Sequence, residues 1–282
     1  MWFRRSSVAF RSICSMEFIG KNNPKIKEAL ALRRNHSRKG DWFLLEGFRE
    51  IQKALDAGYE CLRIFCSETI LGKEQQFFNQ LRESKLETFS CDEATLAKLS
   101  YKEHGDHFVA VMKKRWWSKE KFLNAKKNSI PFYIIVEQVE KPGNLGSILR
   151  IADGAGVDGV ILCDPVVDLY NPNSIRSSLG TVFSLPIWSA PLEEILQTIS
   201  KERWKIFVTS PQAPTLYFYE NYQQPLAFVF GSEKDGVSLP WLNGDFTQIT
   251  LPMLGQADSL NLSTAVSAVV YEAVRQRRGS IL

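Results

Sequence analysis

Nothing in this 282-residue chain approaches the roughly 20 consecutive apolar residues that a membrane-crossing helix needs, so no membrane partner is expected. Cysteine is sparse. The five, at positions 14, 61, 66, 91 and 163, form no CxxC pair and fit no disulfide framework. They read as reduced, mostly buried thiols of an intracellular protein. Histidine is rarer still, with three residues, of which His104 and His107 share the motif HGDH. Two histidines three apart, with no further run of ligands nearby, suit a loop better than a zinc site, and no metal is expected. The glycines match neither G-x-G-x-x-G nor a Walker loop, which argues against a nucleotide-dependent oxidoreductase. Acidic residues are missing from MWFRRSSVAFRSICS at 1–15. That composition suits either an organellar transit peptide or a disordered extension preceding Met16, and the second reading is preferred. The expected location is therefore the cytoplasm, with a mitochondrion or plastid as the consequence of the first reading.

What is present is ordinary globular material, 44% hydrophobic and 23% charged, of a length that suggests about two domains. The net charge of +4 is unevenly spread: RRNHSRKG (33–40) and KKRWWSKEK (113–121) concentrate basic residues, the latter with interleaved tryptophan. Such clusters suit an RNA-contacting surface, or else a solvated face and a charged linker. Helical patterns at 22–38, 48–58 and 92–100, with strand-like LRIFCS (62–67) and HFVAVMKK (107–114), predict a small α/β domain over 16–113. Residues 114–130 read as a linker ending near Pro131. From 131 to 282, strand candidates FYIIVEQ, GVILC, KIFVTS, PLAFVFG and TQITLP alternate with helices predicted at 145–156, 171–179, 191–202 and 260–277. That alternation predicts a mostly parallel sheet covered on both faces, with ligands at the carboxyl ends of its strands.

Three loops follow those strands. KPGNLGSILR (141–150) places glycines at a turn, Asn144 where a helix N-cap would lie, and Arg150 about two helical turns on. GSEKDGVS (231–238) ends a buried-type strand with Glu233. PMLGQADSLNLS (252–263) sets Ser259, Asn261 and Ser263 before a helix apolar on almost every side, which implies burial partly by a second subunit. Alone, each has an ordinary reading as a cap, a solvent-exposed acid or a loop.

Taken in order, N-x-G-x-x-x-R, G-S-E-x-x-G-x-S and P-M-x-G-x-x-x-S-L-N-x-S closely resemble the SpoU-type (TrmH-like) RNA 2′-O-methyltransferases of the SPOUT superfamily. IRSSLGTVFSLPI (175–187) is similar to a further segment of these enzymes, and KNNPKIKEAL with FLLEGFREIQKAL is similar to their N-terminal substrate-binding domain. Two positions depart from the pattern: Lys234 stands where many relatives have glycine, and HGDHF where they often carry Gln-Gly.

The resemblance implies a knotted C-terminal domain with a deep trefoil, a small N-terminal α/β RNA-binding domain, and a homodimer. It implies transfer of a methyl group from S-adenosylmethionine to a ribose 2′-hydroxyl, with rRNA favoured and tRNA the other substrate class. Asn144, Arg150, Glu233, Ser259 and Asn261 are the implied catalytic residues. Arg150 orients phosphate and hydroxyl and stabilises the developing alkoxide, while Glu233 positions Arg150 or Asn144. Thr209, Ser210, Gly231, Ser232, Ile249, Leu251 and Leu260 are the implied cofactor contacts. The alternative is an RNA-binding protein of the same fold that has lost catalysis.

Overall fold

The computed structural model describes residues 16–34, 40–68, 70, 74–101 and 106–278. The extension at 1–15 and the His104 half of HGDH lie outside the described residues. The chain forms two compact units, one of Met1–Ser37, Trp42–Gln52 and Glu60–Lys113, the other of Arg38–Asp41, Lys53–Tyr59 and Lys114–Leu282.

Up to Lys113 the order is β1 (Glu17–Phe18), α1 (Pro24–Arg34), β2 (Trp42–Glu46), α2 (Phe48–Asp56), β3 (Cys61–Ser67), α3 (Glu74–Glu83), β4 (Thr88–Cys91), α4 (Glu93–Leu99) and β5 (Phe108–Lys113). The strands build a five-stranded sheet in the order β1-β4-β3-β5-β2. Its β1–β4 and β3–β4 pairs are parallel, and β5 runs antiparallel to both neighbours. Ile19, Ile26, Leu44, Phe65, Phe89, Leu96 and Val109 fill the core beneath it. Asp92 caps α4 as its position predicts, accepting from Thr95 N at 2.7 Å. Burial pushes the thiols of Cys61, Cys66 and Cys91 up to about 12, so all three are protonated at neutral pH. His107 Nδ1 lies 2.8 Å from Glu74 Oε2, and no group of three potential metal ligands occurs among the described residues.

The second unit runs α5 (Lys119–Asn124), β6 (Phe132–Glu137), α6 (Pro142–Ala155), β7 (Gly159–Cys163), α7 (Pro172–Ser177), β8 (Ile187–Ala190), α8 (Leu192–Glu202), β9 (Lys205–Thr209), β10 (Thr215–Leu216), β11 (Leu226–Phe230), α9 (Leu239–Asn243), β12 (Thr247–Thr250) and α10 (Leu262–Arg278). Its seven-stranded sheet has the order β10-β12-β9-β11-β6-β7-β8, and every pairing is parallel. β6, β7 and β11 are buried at every position, as strands covered on both faces must be.

Two expectations change here. The segment 114–130 is not a free linker. Phe122 of α5 is fully buried, with its ring 5.4 Å from Tyr133 and 5.9 Å from Trp188. Gly159 makes room for it, since a Cβ there would sit 2.4 Å from the Phe122 ring. Asp158, also buried, then gathers the backbone N–H groups of Lys127, Asn128 and Phe132 at 2.6, 2.8 and 2.8 Å. The second change concerns α10. Val266, Val269, Val270 and Ala273 are already buried within one chain, so the apolar stripe that suggested a subunit interface is core. What stays outside is Thr264, Tyr271, Arg275 and Arg278.

Candidate functional site

Parallel strands all end on the same side, so the loops after β6, β9, β11 and β12 meet at one edge of the sheet. They enclose a cleft of about 710 Å³, a size typical of small-ligand sites. Thr209, Ser210, Gly231, Ser232, Glu233, Leu251, Ser259, Leu260 and Asn261, nine of the twelve residues expected at the site, line it.

Why the chain folds this way locally can be read residue by residue. After β11, Ser232 N donates to Gly236 O at 2.9 Å and Gly236 N returns to Ser232 O at 3.2 Å, closing a tight turn. Asp235 N donates to Ser232 Oγ at 3.0 Å inside that turn. The turn folds so closely onto its own start that a Cβ on Gly231 would lie 2.0 Å from the Gly236 carbonyl carbon. Glycine is required there for space, and Gly236 for its φ of +69°. The turn's far end is held by Glu137, the last residue of β6, which is buried. Its Oε1 accepts from Ser238 Oγ at 2.6 Å and its Oε2 from Ser238 N at 2.7 Å. Sequence reasoning missed Glu137; an acid closing the wholly apolar strand FYIIVE was the signal.

With the turn fixed, Glu233 faces α6. Its Oε1 accepts from Asn144 Nδ2 at 2.5 Å and its Oε2 from Glu140 N at 3.3 Å. Asn144 Oδ1 in turn accepts from Asn261 Nδ2 at 3.1 Å. Asn261 Oδ1 accepts from Ser263 Oγ at 2.8 Å and Ser263 N at 3.0 Å, which fixes its amide at the start of α10. One residue from each of the three motifs thus joins a single chain of hydrogen bonds, Glu233–Asn144–Asn261. Ser259 lines the same cleft with its hydroxyl uncommitted.

Asn144 is not the N-cap. Lys141 is, Pro142 takes the first helical position, and Asn144 sits a turn inside α6 and is 8% exposed. The Gly146 close approach is likewise to a neighbouring helix rather than a ligand: a Cβ there would lie 2.3 Å from Ser174 O of α7. Arg150 is apart from the cluster. Six residues at about 100° each turn the helix by about 600°, leaving Arg150 roughly 120° around the axis from Asn144. It is exposed and does not line the cleft, so Glu233 holds Asn144 and not Arg150.

The side wall is less available than expected. Ser210 N donates to Ile249 O at 3.0 Å, so these two backbone groups satisfy each other, and Ile249 itself does not line the cleft. The Thr209 hydroxyl is spent on Val229 O at 2.9 Å and the Ser210 hydroxyl on Gln212 Oε1 at 3.0 Å. Both contribute surface rather than free donors. Lining residues that sequence reasoning did not nominate include Lys141, Lys234, Met253 and Asp258.

Residues 131–271 match the SpoU rRNA methylase family, and residues 23–110 match the MRM3-like substrate binding domain. A 23S rRNA (uridine(2479)-2′-O)-methyltransferase of Streptomyces viridochromogenes is 30% identical over 89% of this chain and 88% of its own length. A solved structure described as an RNA 2′-O ribose methyltransferase is 37% identical, covers 93% of this chain and 99% of its own, and superposes with a TM-score of 0.79. The SpoU methyltransferase AviRb from Streptomyces viridochromogenes, solved with the cofactor AdoMet, is 30% identical with a TM-score of 0.80, covering 90% of this chain and 98% of its own. The matched region contains every residue of the Glu233–Asn144–Asn261 chain, and this protein belongs to the SpoU family of RNA methylases.

Proposed function

We propose that this protein transfers the methyl group of S-adenosylmethionine to a ribose 2′-hydroxyl of RNA, with rRNA as the substrate class. The observation that carries the reading is the Asn144 amide, buried and not itself lining the cleft, held from both sides by Glu233 and Asn261, which do. The donor suits this cleft by its chemistry. Met253, Leu251, Leu260 and Leu262 offer apolar surface to an adenosine, and the carboxylates of Asp258 and Glu233 offer counter-charge to an ammonium and a sulfonium. When bound, the sulfonium supplies an electrophilic methyl group, so the protein need only align the acceptor and remove its proton.

The chain's own residues supply that alignment. Asn144 cannot rotate without breaking one of its two side-chain bonds, so the polar groups that meet the ribose are preorganised. Ser259 adds a free hydroxyl on the same wall. A guanidinium is a fixed cation with a planar fork of donors, which suits Arg150 to orient phosphate and stabilise a developing alkoxide rather than to act as base. Because it projects from a different side of α6, this role is assigned to a homodimer, in which Arg150 reaches the acceptor across the subunit interface. Tyr271 of α10 supports that surface: its hydroxyl would lie 3.0 Å from a Cβ on Gly154, one turn beyond Arg150, and it is 47% exposed. We further assign to the second unit the deep trefoil knot that its motifs imply.

The test pairs calorimetry with S-adenosylmethionine and a radiolabelled methyl-transfer assay on RNA, with 2′-O-methyl mapping of the product. Arg150→Ala is expected to leave cofactor affinity within a few-fold and to lower transfer at least about a hundredfold. Arg150→Lys rescues little, since an ammonium lacks the planar fork. RNA binding without transfer by the wild-type protein would favour the catalytically silent alternative.

A further inference from the structure

Glu137 is a buried carboxylate that no step of the chemistry above uses. It ends β6, a central strand flanked by β11 and β7, and is 2% exposed. Both its oxygens are taken by one residue, Ser238, through the hydroxyl at 2.6 Å and the backbone N–H at 2.7 Å. A carboxylate withdrawn from water onto two neutral donors is costly, so its place on this strand calls for a reason. Ser238 forgoes a local role for the contact. It is the N-cap of α9, yet its side chain makes no capping hydrogen bond, the hydroxyl being turned to Glu137 instead. A second contact runs the other way. Glu233, in the turn after β11, accepts from Glu140 N and Asn144 Nδ2, in the loop and helix after β6. Each of the two neighbouring segments thus reaches across with one carboxylate and grips the other. The turn held between these grips presents Gly231, Ser232, Glu233 and Gly236 to the cleft.

We infer that Glu137 is a positioning residue for methyl transfer: through Ser238 it sets the turn after β11 where the Glu233 carboxylate meets Asn144. The inference rests on the reading of the cleft as an RNA methyltransferase site and adds what holds its geometry. Glu137 does not line the cleft, so it acts through Ser238 and Glu233 rather than on the reacting groups. The turn is closed on itself by the paired Ser232 and Gly236 hydrogen bonds, so it moves as a unit. Released from Glu137, that unit can tilt at the end of β11, and a displacement of about 1 Å at a reacting centre costs about a hundredfold in rate. The role is one of shape rather than charge. An amide in place of the carboxylate still accepts from Ser238 N with its oxygen and donates to Ser238 Oγ with its nitrogen.

The experiment uses the full chain with Glu137→Ala, Glu137→Gln, Ser238→Ala, Glu233→Gln and the double variant Glu137→Ala/Glu233→Gln. Methyl transfer to deproteinised ribosomal RNA from cells lacking this protein is followed at saturating S-adenosylmethionine over a range of RNA concentrations. The temperature is one at which circular dichroism shows each variant folded, and Asp158→Ala serves as the control for lost stability. Glu137→Ala is expected to lower kcat about fiftyfold with KM for RNA within about threefold, and Ser238→Ala to lower kcat about fivefold. Glu137→Gln restores kcat to within about threefold of wild type, and the double variant is no slower than Glu233→Gln alone, because both substitutions break one linkage. A folded Glu137→Ala protein as fast as Asp158→Ala overturns the role, since the contact would then be packing alone. A Gln variant as slow as the Ala variant overturns it too, as do additive losses in the double variant. Should Glu137→Ala fail to fold, Ser238→Ala decides: a wild-type kcat there overturns the role, and a fall supports it. Wild-type protein is assayed alongside: no transfer defeats the underlying reading, whereas equal transfer by wild type and Glu137→Ala defeats only the positioning role.

Discussion

The seven-stranded sheet has two edges built from the same kinds of group and used differently. At the amino edge, Asp158 is 1% exposed and accepts three backbone N–H groups. Near it Arg277, at the end of α10, donates to Tyr222 O at 2.8 Å, Ile130 O at 3.0 Å and Gln224 O at 2.6 Å, with its guanidinium over the Phe132 ring. Burial lowers the Arg277 pKa, yet at neutral pH it remains charged. At the carboxyl edge, Glu233 is half-buried, and a side-chain amide is one of its two partners. A charge spent on backbone fixes a chain path. A charge spent on another side chain at a cleft wall fixes the orientation of that side chain's amide and leaves the carboxylate itself facing the cleft. α10 joins the two edges, since Leu262 and Ala265 line the cleft at its start and Arg277 lies at its end.

That contrast predicts opposite phenotypes. Asp158→Ala strands three backbone donors, two of which sit in a loop that water reaches once the carboxylate is gone. At about 1 kcal/mol or more for each, the loss in unfolding free energy should be about 3 kcal/mol or larger, read from urea denaturation at unchanged m-value. Methyl transfer by the folded protein should stay within about twofold. A variant as stable as wild type, or one folded but inactive, would dissolve the distinction between the edges.

Asn144→Ala is the converse. Its neighbours, Glu233 and Asn261, both line the open cleft, so water replaces the lost bonds and stability should fall by only about 1 kcal/mol. Transfer should fall about a hundredfold, near 2.7 kcal/mol, because the two motif residues lose the group that links them. Equal losses of stability and activity would make Asn144 a packing residue.

How far the sequence carried this picture depends on the kind of signal. Strands such as FYIIVE and LAFVF were legible because burial on both faces demands an unbroken apolar run. The helix at 192–202 falls within a residue of its expected start because Pro191 marks it. The three motifs converged on one cleft because parallel strands place their following loops together. What one chain's periodicity could not supply was angle and partner. The glycine-rich opening of α6 looked like a turn ending in a cap, but Pro142 starts a helix that swallows Asn144 and swings Arg150 away. The charged segment around Phe122 read as a linker because one buried aromatic among lysines carries no period. Glu137 signalled only by its place at the end of an apolar strand; what it binds could not be read, because its partner, Ser238, lies 101 residues on.

The smallest expected effect concerns a face that belongs to neither edge. Val269 and Val270 are fully buried in the chain's own core, so an aspartate there should unfold the protein rather than separate subunits. The residue to change is Tyr271, which lies against α6 beside Gly154 on the side of Arg150. Tyr271→Asp puts a charge on a half-exposed position, where the isolated chain tolerates it and a subunit contact does not. The dissociation constant of the proposed dimer should rise at least about tenfold, near 1.4 kcal/mol, in sedimentation across a concentration series, with the unfolding midpoint of the monomer nearly unmoved. Transfer should then depend on protein concentration, recovering as dimers re-form, because Arg150 acts across the interface in the proposed arrangement. A variant that dissociates yet transfers methyl groups normally as a monomer would return Arg150 to its own chain's cleft. A variant that stays dimeric would move the contact off this face of α6 and α10.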